Sequence, residues 1–84
     1  MSRGRECISH WTPEGTFLIE QVYVGGSWML RLWHEKDQNK TDLGLYFSLL
    51  TAAQSISSGE HDRVLGFAAS ALGVPPAVKD WNRR

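Results

Sequence analysis

Apolar residues crowd into two runs with a pair of glycines between them. Thr16–Val24 (TFLIEQVYV) and Ser27–Glu35 (SWMLRLWHE) are rich in β-branched and aromatic residues, and Gly25-Gly26 separates them. Such runs predict strands, and two glycines between them suit the tight primed turn whose central residues need positive φ. A two-residue loop fixes the register: Val24 faces Ser27, Tyr23 faces Trp28, and Glu20 faces Arg31, an opposite-charge pair that favours this pairing. The register then sorts two faces. One holds Phe17, Ile19, Tyr23, Trp28, Leu30 and Leu32, with Gln21 and His34, and is the natural core face. The other holds Leu18, Val22, Val24, Met29 and Trp33 among Thr16, Glu20, Arg31 and Glu35.

Lys36–Asp42 reads as a polar loop and Leu43–Phe47 as a third strand weakened at Gly44. Ser48 suits a helix N-cap, and Leu49, Ala52, Ala53 and Ile56 recur at helical spacing. Gly59 suits a left-handed position after that helix. A second helix is expected from Glu60–Asp62 to Gly73, with Val64, Leu65, Ala68 and Leu72 as its apolar stripe. Pro75-Pro76 breaks the chain, and Pro76–Asn82 is read as one short helical turn carrying Trp81. The expected fold class is α+β: a three-stranded antiparallel sheet led by the β-hairpin, then two helices packed on one face, then a short C-terminal helical turn. Residues 1–15 lack periodicity and read as a loosely structured N-terminal arm, with 16–84 as a single small domain.

Composition narrows the classes. Eighty-four residues make room for one domain, and four tryptophans supply much apolar area to a core that is marginal at this size. Nine Lys/Arg balance nine Asp/Glu, which lacks the basic excess typical of nucleic-acid or anionic-membrane binding. A single cysteine, Cys7, allows no internal disulfide, so a reducing, cytoplasmic setting is expected. No stretch has the length and apolarity of a membrane span or a signal peptide.

Few residues carry chemistry in a recognisable spacing. Cys7-x-x-His10 is half of a zinc-like pattern, whereas a structural zinc needs four ligands. Glu60-His61-Asp62 clusters ionisable groups, but adjacent residues on a helix diverge, so capping and solvation account for them. No glycine-rich phosphate loop is present. No catalytic residue, metal ligand or cofactor is therefore expected, and the chain reads as a non-enzyme.

Phe67–Arg84 (FAASALGVPPAVKDWNRR) resembles the core of a helix-turn-helix motif. Ala69 stands four residues before the turn glycine Gly73, which Leu72 precedes and Val74 follows. The resemblance implies a following helix that reads the major groove. The chain departs from the pattern where Lys79 occupies the second helix's apolar anchor position. The layout of three strands and a helix also resembles small domains that lay a sheet in the major groove, here through Arg31 and Trp33. Arg31, Lys79, Arg83 and Arg84 are the candidate nucleic-acid contacts under this alternative.

The preferred reading is a protein-interaction or regulatory module. Leu18, Val22, Met29 and Trp33 share one face in the derived register, and a contiguous apolar patch rich in Met and Trp marks an interaction surface. The expected partner is another protein or a second copy of the chain, with nucleic acid ranked below and no membrane partner.

Overall fold

The computed structural model of the chain describes residues 7–83. Five strands form one antiparallel sheet: β1 (Cys7–Thr12), β2 (Gly15–Val24), β3 (Ser27–Lys36), β4 (Asn39–Tyr46) and β5 (Asn82–Arg83), in the spatial order β4-β3-β2-β1-β5. One three-turn-scale helix, α1 (Leu49–Ser57), and one single-turn helix, α2 (Asp62–Leu65), follow β4. Short 3-10 segments lie at Ala69–Ala71 and Val78–Asp80. The expected three-stranded sheet followed by two helices is thus corrected to five strands, one helix and a short helix.

The central hairpin is built as its loop demands. Gly25 and Gly26 take φ of 59° and 84°, and β2 pairs with β3 from Val24↔Ser27 through Thr16↔Glu35. The strands on either side of it are where the expectation fails. Residues 7–12 form a strand although a proline follows them. Thr12 supplies the turn chemistry instead: its Oγ1 donates to the Gly15 carbonyl at 2.7 Å and accepts the Glu14 N–H at 3.1 Å. The chain reverses over Pro13-Glu14, and β1 pairs with β2 from Cys7↔Glu20 to Thr12↔Gly15. Residues 7–15 therefore belong to the sheet rather than to a loose arm, and residues 1–6 lie outside the described residues.

On the far side, the polar stretch after Lys36 is a turn and then a strand. Asp37 and Gln38 adopt φ of 54° and 70° without glycine, so pairing with β3 begins at Lys36↔Asn39. Leu43 is the extra residue of a bulge, because Leu32 faces Gly44 while Trp33 faces Asp42. The bulge lets Leu43 pack against the core.

Ser48 caps α1 by accepting the Thr51 N–H at 3.1 Å, and the stripe Ala52, Ala53 and Ile56 is fully buried. Its C-terminus closes with the paired bonds of a Schellman motif: Glu60 N–H to Ser55 O at 3.2 Å and Gly59 N–H to Ile56 O at 3.2 Å, with Gly59 at φ 88°. The second long helix does not form. Gly66 takes a left-handed φ of 80° and ends α2 after Leu65. The helix-turn-helix resemblance is corrected with it. Its first helix is reduced to the 3-10 turn Ala69–Ala71, and Pro75-Pro76 lead into a second 3-10 turn and then β5, which leaves no recognition helix among the described residues.

The core lies between one sheet face and the helical layer. Ile8, Phe17, Ile19 and Leu32 from the sheet meet Ala52, Ala53 and Ile56 of α1, with Ala69, Val74 and Trp81. Trp81 is pinned by its indole N–H to the Pro75 carbonyl at 2.9 Å, and β5 then joins the sheet edge through Ile8↔Arg83 and Ser9↔Asn82. The helical layer does not reach the tip of the β2–β3 hairpin. There Tyr23, Val24 and Trp28 stand exposed. Pairing with β4 stops at Leu30↔Tyr46, so Ser27–Met29 have β2 on one side and no strand on the other among the described residues.

Candidate functional site

The most concentrated set of reactive side chains sits where β4 meets the end of α1. The Schellman turn folds Glu60 and His61 back over α1, where His61 is buried. Its Nε2 lies 2.9 Å from Tyr46 Oη and 3.0 Å from Ser55 Oγ. Ser55 Oγ–H also donates to the Ala52 carbonyl at 2.7 Å, and Tyr46 Oη–H donates to Glu60 Oε2 at 2.9 Å. The cluster is a staple that ties together β4, α1 and the loop before α2. Burial holds the imidazole pKa below 6.5 against the pull of Glu60 and Asp62, and burial also raises the Tyr46 phenol above 10.0. Asp62 is occupied elsewhere: its carboxylate accepts Ser70 N–H at 3.1 Å and Ser70 Oγ–H at 2.8 Å.

His34 is likewise structural. It is buried between Phe17 and Phe67, with ring centroids 4.9 and 5.5 Å away, and its Nε2–H donates to the Glu14 carbonyl at 2.8 Å. The His10 ring lies 5.8 Å from that of Trp81 and is tilted 46° to it. Among the described residues no three His, Cys, Asp or Glu side chains gather into a metal-holding group.

The second sheet face divides into two zones. Leu18 is buried, while Val22, Met29 and Trp33 are half-buried. Around Trp33 the surface is charged: Arg31 and Lys40 lie 5.6 and 4.7 Å from its ring, its indole N–H donates to Glu20 at 3.3 Å, and Arg31 is ion-paired with Asp42. Trp33 is thereby enclosed by neighbours of both signs, and the Leu18–Trp33 half of the face presents no open apolar patch. Of the candidate nucleic-acid contacts, Arg31 stands on this face. Lys79 and Arg83 line a concavity of about 340 Å³ on the helical side with Ile8, Leu49 and Trp81. The three do not form one basic surface, and Arg84 lies outside the described residues.

The open apolar surface is at the hairpin end. Tyr23 and Trp28 face each other across β2 and β3, with their rings edge to face at 5.1 Å, and are 61% and 56% exposed. Phe47, where the chain leaves β4 for α1, is 89% exposed. Between them lies a notch of about 300 Å³, lined by Gln21, Trp28, Met29, Leu30, Phe47 and Leu49. Every lining residue is uncharged, for a reason visible in the chain: residues 21–30 and 43–59 contain no Asp, Glu, Lys or Arg. The topology brings these two runs to the same end of the molecule. A third uncharged stretch, 64–78, instead supplies Ala69 and Val74 to the core. Met29 is the one member of the expected patch that lines the notch. Tyr23, Trp28 and Phe47 were missed because the first two belong by register to the core face and Phe47 to a strand. The absence of charge in the two runs was the available signal.

Compared with family models, curated proteins and solved structures, the chain matches none. Among the described residues, no helix is long and apolar enough to cross a membrane.

Proposed function

We propose that this chain is a small, non-enzymatic protein-interaction module that receives its partner on the uncharged aromatic end. The observation that carries the reading is Phe47, almost fully exposed, which lines a notch of about 300 Å³ together with the exposed Trp28. Exposed aromatic side chains grouped around a concavity are how interface anchors look before the partner arrives. The notch is of a size to take one large apolar side chain.

The test is selection from a random-peptide phage library on the wild-type chain and on a Trp28→Glu/Phe47→Glu double variant. The expected result is enrichment of apolar, aromatic-bearing peptides on the wild type and its loss on the variant. Equal enrichment on both, or none on either from a chain that is monomeric, would sink the reading.

A further inference from the structure

We infer that the occupant of the uncharged end is a second copy of this chain. The inference rests on the interaction reading above and names its partner. Three observations support it.

The first is charge complementarity. A partner carrying ionised groups would bury them against Tyr23, Trp28, Phe47 and the notch, where no described lining group offers an opposite charge. Burying an unpaired charge is costly. A two-fold contact sets the same surface against itself, so an uncharged patch meets an uncharged patch. Over the whole chain nine Lys/Arg balance nine Asp/Glu, so two copies approach without net repulsion.

The second is the strand edge. Ser27–Met29 run past the end of β4, beside the same aromatic side chains. An open edge offers main-chain donors and acceptors, and another copy presents the identical set. The two outermost strands of the sheet are guarded. β4 is bulged at Leu43 and carries Lys40 and Asp42, and β5 is two residues long.

The third is area. Aromatic side chains remove about 150–250 Å² each when buried. At exposures of 61%, 56% and 89%, Tyr23, Trp28 and Phe47 still hold roughly 400 Å² of that between them. A standard interface takes about 800 Å² from each partner, so these three side chains supply about half of one side before their neighbours are counted.

Sedimentation velocity of the full chain over a concentration series tests this, with thermal melts confirming that each variant is folded. The wild type is expected to pass from 9.5 kDa to twice that mass as concentration rises. Phe47→Glu and, separately, Trp28→Glu are expected to weaken association about tenfold or more, as interface anchors do. Trp11→Glu, at an exposed aromatic near the opposite, Pro13-Glu14 end of the sheet, is expected to leave it unchanged. A wild type that stays monomeric at every concentration overturns self-association and leaves the interaction reading to the peptide selection. A dimer indifferent to both end substitutions, or equally weakened by Trp11→Glu, overturns the inference and removes the uncharged end as its seat.

Discussion

Gly15 holds a φ of 123°, and a Cβ there would lie 2.5 Å from His34 Nε2 and 2.7 Å from the Glu35 carbonyl. His34 cannot step aside, because its ring is packed between Phe17 and Phe67 and bonded to the Glu14 carbonyl. Gly15→Ala therefore adds a strained backbone to an overpacked contact. The expected loss is about 2–5 kcal/mol, summing the usual costs of each. At Gly25 the left-handed φ of 59° stands in open space, where asparagine is tolerated. Chemical denaturation of Gly15→Ala beside Gly25→Asn checks the contrast: a large fall in midpoint for the first and little change for the second.

At the scale of elements, the Tyr46–His61–Ser55 staple makes the seam between sheet and helices sensitive to acid. The folded protein holds His61 with a pKa below 6.5, so the unfolded chain takes up its proton first as the pH falls through 6.5. Protons bound preferentially to the unfolded state favour unfolding. The contribution is complete above 6.5 and declines below it until the folded pKa is passed. Melting temperatures measured from neutral pH downward should fall through that window, and His61→Gln should flatten the part of the slope that this residue supplies.

The same scale shows what the chain made legible. The central hairpin was readable because Gly25-Gly26 admits one tight turn and so one register. α1 was readable because Ser48 and Gly59 bracket a buried stripe. β1 was hidden by Pro13, and the start of β4 by a turn in which Asp37 and Gln38 do a glycine's work. The apolar spacing of Val64, Leu65, Ala68 and Leu72 suggested a helix, but Gly66 reverses the chain inside it and leaves Val64 exposed. The hairpin end was half legible. Register placed Tyr23 and Trp28 on the covered face correctly, but how far the helical layer extends along that face depends on packing that no local pattern encodes.

For the whole molecule, the decisive arrangement is the meeting of distant segments at one sheet edge. Trp81 fills the core beneath β1, and β5 beyond it pairs Arg83 with Ile8. Trp81→Ala is expected to cost about 3–5 kcal/mol, as truncation of a buried Trp does, read from equilibrium unfolding. The position of Trp81 also orders events in time. The β2–β3 hairpin joins residues close in sequence and closes a short loop, whereas the Ile8–Arg83 seam closes nearly the longest loop the described chain offers, so its contacts accrue late. A residue whose contacts form after the rate-limiting barrier acts on how fast the native state opens rather than on how fast it forms. The Trp81 seam is then expected to act as a latch in the kinetic sense: in stopped-flow measurements Trp81→Ala should shorten the lifetime of the folded molecule and leave the speed of its birth nearly unchanged.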